Sequence, residues 1–202
     1  MKLYDLERSG NCYKVRLLLA LLGLPYERIN VDLDRGENST EAFLRLNPRG
    51  QIPVFEDEDG TVIWDSMAIL VYLARNSDDP RWLPLEPEAM ARVMQWLAIS
   101  ENELLYGLAS ARAVIKLGKK ADLEAAQKMA RQGLAALEER LKENDWLTAD
   151  HITIADIACF PYVGMMQDAR IPMADYPGIG RWVARILSLP GCPALPVLPD
   201  LS

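Results

Sequence analysis

Three polar or nucleophilic side chains lie within four residues near the start of the chain, at Ser9, Asn11 and Cys12. The Ser9 hydroxyl and the Asn11 amide are hydrogen-bond donors, and both stand at the start of an apolar segment with helical spacing. A helix N-terminus offers free backbone N–H groups and the positive end of the helix dipole. The segment therefore has the components of a site that stabilises an anion. The alternative is that Ser9 and Asn11 only cap the helix.

A second polar pair, Asp65 and Ser66, stands ahead of another apolar segment. A carboxylate at this position can bind an amine, while Ser66 and the backbone N–H groups of a helix start can bind a carboxylate. Capping of the helix by the same two residues is equally compatible with the pattern. Both segments thus place chemistry-bearing side chains at a predicted helix N-terminus.

The elements that carry these segments predict a mixed sheet with helices on its faces. Strands are expected at 2–6 and 26–31, joined by a helix that starts near Asn11, and together they form a right-handed parallel βαβ unit. A short helix at 40–46 follows. The Asp-Gly turn between 52–55 and 61–64 predicts a hairpin, and Asp65 or Ser66 caps the next helix. This order closes a first domain of residues 1–78.

The remainder of the chain is predicted to be helical. Three prolines in a charged segment favour an extended linker at 79–88, before a domain of residues 89–202. Thr153 and Asp156, three residues apart, predict a capping box at a helix start. Apolar residues at helical spacing are predicted to form the core. They are Met90, Val93, Met94, Leu97, Leu104, Leu108, Leu123, Ala126, Ala130, Leu134, Leu137 and Leu141.

Composition argues against several functional classes. The 202-residue chain has a formal net charge of -7 and no Lys/Arg run, so no nucleic-acid partner is expected. No stretch approaches the roughly 18 apolar residues of a membrane span, so the expectation is a cytoplasmic protein without a membrane partner. Cys12, Cys159 and Cys192 are too scattered for a disulfide framework, and a single His151 argues against a metal site.

An ordered set of motifs resembles the glutathione transferases nearly from end to end. Each motif is weak alone, but their order and spacing are specific. The resemblance implies an α/β thioredoxin-like N-terminal domain of order βαβαββα, an all-α C-terminal domain, and glutathione as co-substrate. The motifs are Ser9 to Val15, Asn47 to Val54, Asp65 to Ile69, Gln95 to Leu97, the Thr153 segment and Tyr176 to Trp182.

The resemblance implies that Ser9 donates its hydroxyl to the glutathione sulfur and that Asn11 helps to hold it. A thiol with a pKa of about 8.5 needs such donors and a positive potential to ionise at neutral pH. Cys12 is the alternative, because a bacterial class of the superfamily uses a cysteine here and could form a mixed disulfide with glutathione. Ser9 to Cys12 also looks like a Cys-x-x-Cys motif whose first cysteine is replaced by serine, which disfavours dithiol exchange. Ser9 is the favoured residue.

The resemblance also assigns the remainder of the tripeptide. It implies a cis bond between Ile52 and Pro53, which presents the Ile52 backbone to the cysteinyl part of glutathione. Asp65 would bind the γ-glutamyl amine, and Ser66 would bind its carboxylate. The expected glycyl contacts are Gln51 and Arg35, and a second-substrate pocket between the domains is expected to be lined by Ser100, Tyr106 and Arg112, with surface or core positions as the alternative.

The predicted function is an enzyme that adds the glutathione thiolate to a small electrophile, or that reduces a peroxide or disulfide with glutathione. Two alternatives remain: a non-catalytic glutathione-binding or regulatory protein of the same fold, and a glutathione-dependent isomerase. The Arg8 to Asn11 segment does not match the Ser-Ser-Cys loop of the isomerases. The resemblance also implies a homodimer, which would cover apolar surface near Trp64 and Met90.

Overall fold

The computed structural model describes residues 1–198 and contains a four-stranded mixed sheet followed by helices. The order across the sheet is β2-β1-β3-β4, with β1 parallel to β2 and the other two pairings antiparallel. The predicted βαβ unit and hairpin are therefore confirmed. The strands are β1 (Lys2–Asp5), β2 (Glu27–Asn30), β3 (Val54–Glu56) and β4 (Val62–Trp64).

Three helices belong to the sheet domain, and each begins directly after a side chain that accepts a first-turn N–H. The capping residues are Ser9, Thr40 and Asp65. The pairing satisfies a backbone donor that a helix start otherwise leaves free. The helices are α1 (Gly10–Leu21), α2 (Glu41–Leu46) and α3 (Ser66–Asn76).

One long helical segment opens the second half of the chain. Its middle part, Ser100–Ala109, is π-helical, and the backbone stays right-handed helical at both ends of this part. Ahead of the segment, the predicted extended linker contains a short 3-10 helix at Pro80–Trp82. The helices of this half are α4 (Pro87–Ile99), α5 (Ser110–Leu117), α6 (Leu123–Leu141), α7 (Ile154–Gly164) and α8 (Pro177–Leu187). Within residues 1–198, no helix has the length and apolar character needed to cross a membrane.

Helix α7 joins the two halves of the protein. It packs against α1, α3 and α4, and almost all of its residues are buried. The contact with α1 is so close that a Cβ atom added at Gly10 would lie 2.5 Å from a ring carbon of Tyr162. The start of α1 is therefore held directly against the helical domain.

The predicted capping box at the start of α7 is confirmed. The Thr153 hydroxyl accepts the Ala155 N–H at 3.2 Å, and Asp156 accepts the Thr153 N–H at 3.0 Å. Asp156 also accepts the Leu147 N–H at 3.0 Å and the Trp182 indole N–H at 2.9 Å. The fully buried carboxylate thus connects α7 to α8 and to the preceding loop.

Most of the predicted helical core is buried, but the assignment of Met94 is wrong. Its side chain is 47% exposed, whereas Val93 and Leu97 are buried. Met94 follows Val93 by one residue, which turns it by more than a quarter of a helical turn toward solvent. Met90 and Leu123 are half-buried.

Candidate active site

A cavity of about 550 Å³ lies between the sheet domain and the long helical segment. One wall consists of loop ends of the sheet domain, including Ser9 and Asn11 at the start of α1 and Asp65 at the start of α3. The loop before β3 contributes Gln51 and Ile52. The opposite wall is one face of the helical segment, formed by Glu101, Leu105, Tyr106, Ala109, Ser110 and Ala113.

The Ser9 hydroxyl is a hydrogen-bond donor at the edge of this cavity. Its oxygen accepts the Cys12 N–H at 3.2 Å, and the Ser9 N–H donates to the Leu6 carbonyl at 2.9 Å. A hydroxyl that accepts in this way still has its own hydrogen to donate. The arrangement can therefore cap α1 and hydrogen-bond an anion in the cavity at the same time.

Cys12 has a different environment from Ser9. Its side chain is fully buried and does not line the cavity. Burial, assisted by the nearby Asp5 carboxylate, raises the pKa of the Cys12 thiol to about 12. A buried thiol with such a pKa stays protonated at neutral pH and is a poor nucleophile. This geometry favours a packing role for Cys12.

Asn11 lines the cavity with an incompletely bonded amide. Its Oδ1 atom is buried and has no hydrogen-bond partner among residues 1–198. Buried polar atoms in folded proteins are nearly always paired. The unpaired atom is an acceptor, so it can take a hydrogen bond from a donor group of a molecule bound in the cavity, and it does not itself donate to an anion.

Asp65 is held in an unusual backbone conformation, with φ of 79°. Residues other than glycine rarely adopt this left-handed region, and such strain concentrates at functional sites. One carboxylate oxygen accepts the Met67 N–H at 2.9 Å, and the other lies 3.3 Å from Nη1 of Arg49. Arg49 also lines the cavity, whereas the neighbouring Ser66 is buried and does not.

The loop before β3 is fastened by two asparagine side chains. Asn47 donates to the Gln51 carbonyl at 2.7 Å, and Asn38 donates to the Gly50 carbonyl at 2.7 Å. The bond between Ile52 and the buried Pro53 is cis, which confirms this prediction. Gln51 and Ile52 consequently face the cavity beside the starts of α1 and α3.

Ser100 and Arg112 are not at the predicted positions in the second-substrate pocket. Ser100 is fully buried, and its hydroxyl donates to the Ala158 carbonyl at 2.7 Å. Arg112 is also buried and binds Asp168. Tyr106, the third residue of this set, does line the cavity and is 60% exposed. The π-helical part changes the number of residues per turn, which the regular helical period used for these assignments does not anticipate.

Arg35 is also outside the cavity. Its side chain is 83% exposed and lies 3.4 Å from the Asp32 carboxylate. The side chain is therefore solvated, and the predicted contact of Arg35 with the glycyl end of glutathione has no support in the structure.

Sequence reasoning missed several residues that line the cavity. Asn38 and Arg49 carry no distinctive spacing, although Arg49 lies inside the motif that precedes β3. In the helical segment, a repeat of four residues joins Glu101, Leu105, Ala109 and Ala113. This repeat marks one helical face and was the available signal.

Two protein-family models match the chain, one over the sheet domain and one over the helical domain. Residues 8–76 match the glutathione S-transferase N-terminal domain, and residues 82–190 match the glutathione S-transferase C-terminal domain. The chain belongs to the glutathione S-transferase family. The predicted fold class, a thioredoxin-like domain followed by a helical domain, is confirmed, and so is the predicted glutathione transferase enzyme class.

The relatives of this glutathione S-transferase are named for different activities. Maleylacetoacetate isomerase of Mus musculus is 32% identical over 193 residues, which are 93% of this chain and 88% of the relative. The disulfide-bond oxidoreductase YfcG of Escherichia coli is 32% identical over 191 residues, with 90% and 88% covered. A crystal structure of a Pseudomonas fluorescens glutathione S-transferase has a TM-score of 0.87 at 39% identity, covering 94% of this chain and 95% of that one.

Proposed function

We propose that this glutathione S-transferase binds glutathione in the 550 Å³ cavity with its sulfur beside Ser9. The observation that carries the proposal is the contrast within the first turn of α1. Ser9 faces the cavity with a hydroxyl hydrogen to donate, while the Cys12 thiol is buried and its pKa is raised. The α1 N-terminus adds positive potential to the hydroxyl, and both stabilise a thiolate. The Asn11 amide borders the same position.

The remaining groups of the tripeptide are matched to the same wall of the cavity. The Ile52 backbone pairs with the cysteinyl part, and Asp65 binds the γ-glutamyl amine. The backbone N–H groups at the α3 N-terminus stand beside the γ-glutamyl carboxylate, whereas the predicted Ser66 hydroxyl contact is withdrawn because Ser66 is buried and does not line the cavity. For the glycyl end we retain Gln51 and replace the exposed Arg35 with Asn38, which lines the cavity.

The second substrate is a small molecule with an apolar part, because the facing helical wall is largely apolar. Tyr106 and the alanines of this wall leave room beside the sulfur position. In the conjugation reaction the thiolate attacks an electrophilic carbon, a C–S bond forms, and the leaving group departs with the bonding electron pair. Such a reaction would serve the detoxification of electrophiles.

Glutathione-dependent disulfide reduction is the second candidate, and the similarity to the Escherichia coli oxidoreductase supports it. Here the thiolate attacks one sulfur of a disulfide and displaces the other as a thiolate, which takes up a proton. A second glutathione then attacks the glutathione sulfur of the mixed disulfide, which yields glutathione disulfide and displaces the remaining half of the substrate as a thiolate that takes up a proton. Both reactions require the same activated sulfur.

The test combines glutathione calorimetry with turnover assays on three probes: an aryl halide, an organic hydroperoxide and 2-hydroxyethyl disulfide. We expect glutathione binding and turnover of at least one probe. Binding without turnover of any probe would favour the non-catalytic alternative or the glutathione-dependent isomerase. Absence of binding would contradict the proposal.

We also propose a cytoplasmic homodimer. Trp64 and Met94 expose 38% and 47% of their surface, which is apolar area that a second copy can cover. Cys12, Cys159 and Cys192 are unpaired thiols, as in proteins of reducing compartments. A monomeric mass in light scattering would contradict the dimer.

A further inference from the structure

The loop between β1 and α1 has its carbonyl groups held by arginines. Arg16, in the same domain, donates to the carbonyls of Leu6 and Glu7 at 3.4 and 2.9 Å. The next carbonyl, that of Arg8, accepts from Nη1 of Arg112 at 3.1 Å. Arg112 lies on α5 in the helical domain. The peptide that directly precedes the proposed sulfur donor is thus fastened across the domain boundary.

Arg112 is itself rigidly held. Its side chain is only 6% exposed, and Nε donates to the Asp168 carboxylate at 2.9 Å. The other oxygen of Asp168 lies 3.7 Å from Nζ of Lys116, one turn further along α5. A guanidinium oriented in this way is a fixed support for the Arg8 carbonyl.

Burial of the Arg112 side chain also costs folding free energy. Its Nη2 atom is buried and has no hydrogen-bond partner within residues 1–198. An unpaired buried donor destabilises the folded state, and a buried charge is costly even when it is paired. Costly features of this kind persist where function requires them.

We propose that Arg112 is a positioning residue that places the Ser9 hydroxyl for the glutathione sulfur, an inference that rests on the proposed function of Ser9. The Arg8 side chain already binds Asp34 through two contacts of 2.7 Å. The bond from Arg112 holds the Arg8 carbonyl, which belongs to the peptide group that leads into Ser9. A hydrogen bond to sulfur depends steeply on distance and angle, and small displacements at a reacting group cost rate.

The test is a double-mutant cycle of four proteins: wild type, Ser9→Ala, Arg112→Gln and the double variant. The readouts are the pKa of bound glutathione, titrated by thiolate absorbance in the ultraviolet, and its dissociation constant from calorimetry. We expect Arg112→Gln to raise this pKa and to weaken thiolate formation about three- to tenfold, with little change in affinity. In the Ser9→Ala background the same substitution should change thiolate formation by less than about twofold, because Arg112 acts through Ser9.

The control is Arg140→Gln, which removes a 3.2 Å arginine bond to the Trp146 carbonyl elsewhere in the helical domain. It should leave the pKa of bound glutathione unchanged. Equal effects of Arg112→Gln in both backgrounds, or a folded Arg112→Gln variant with a wild-type pKa, would overturn the inference. If Arg112→Gln does not fold, Arg112→Lys replaces it. Lysine keeps the positive charge but lacks the planar guanidinium with its several N–H donors, so a raised pKa of bound glutathione is again expected. A normal pKa in Ser9→Ala alone would instead overturn the proposed role of Ser9, and this inference with it.

Discussion

The backbone N–H of Cys12 donates to the Ser9 hydroxyl oxygen at 3.2 Å. The two candidates for contact with the glutathione sulfur are therefore joined by a hydrogen bond. Ser9 is the N-cap of α1, and Cys12 lies in the first turn, where its thiol is fully buried. The serine hydrogen remains available to the cavity, while burial keeps the thiol protonated. The same hydrogen bond that caps the helix therefore favours the serine mechanism.

Ser9→Ala should lower turnover by roughly ten- to a few hundred-fold and raise the pKa of bound glutathione. The expected loss corresponds to about 1.4–3 kcal/mol of thiolate stabilisation. Glutathione affinity should barely change, because most of the tripeptide is bound elsewhere. Ser9→Thr keeps the hydroxyl and serves as the matched control in pH–rate profiles. Full activity of the alanine variant would show that Asn11 and the helix N-terminus, rather than Ser9, contact the glutathione sulfur.

Cys12→Ala should retain nearly wild-type turnover, since Cys12 acts as a small apolar side chain. In the native wild type, a thiol reagent should modify the half-buried Cys192 first and leave Cys12 and Cys159 unmodified until the protein unfolds. Thiol counting by mass spectrometry before and after denaturation measures this. Loss of disulfide reduction in Cys12→Ala, or a glutathione adduct on Cys12, would establish the cysteine mechanism instead.

Asp65→Ala should weaken glutathione binding by roughly 1.5–3 kcal/mol, the scale of a lost charged hydrogen bond. It should also lower stability, because Asp65 caps α3. Asp122→Ala is a matched control: Asp122 caps α6 by accepting the Ala125 N–H at 3.0 Å, and it does not line the cavity. Both variants should lose about 1 kcal/mol of stability, and only Asp65→Ala should lose affinity in calorimetry. Equal affinities would remove Asp65 from the site.

Asp156→Ala should destabilise the protein by about 3–5 kcal/mol, because three buried N–H donors lose their acceptor. Thr153→Ala, which removes only the capping hydroxyl, should cost about 1 kcal/mol. Denaturant unfolding gives both values, and glutathione affinity should be unchanged in each folded variant. Similar small losses in the two variants would show that the contacts of Asp156 with Leu147 and Trp182 contribute little.

Much of the sheet domain could be predicted because its determinants are local. A helix start is marked by the side chain that caps it, as at Ser9, Asp65 and Thr153, and the bonds involved join residues two or three positions apart. The capping box illustrates the limit. Its two members were predictable, but the bonds from Asp156 to Leu147 and Trp182 join different elements and have no local signature.

The sequence by itself determined the order of the elements, the family resemblance and the two helix starts, at Ser9 and Asp65, that line the cavity. Only the tertiary structure decided which residues of the helical domain face that cavity. The π-helical part at Ser100–Ala109 alters the angular spacing of the side chains that follow its start, so that Arg112 turns inward while Tyr106 lines the opening. Angular position accumulates along a helix, and a local change in its period therefore shifts the facing of every residue beyond it.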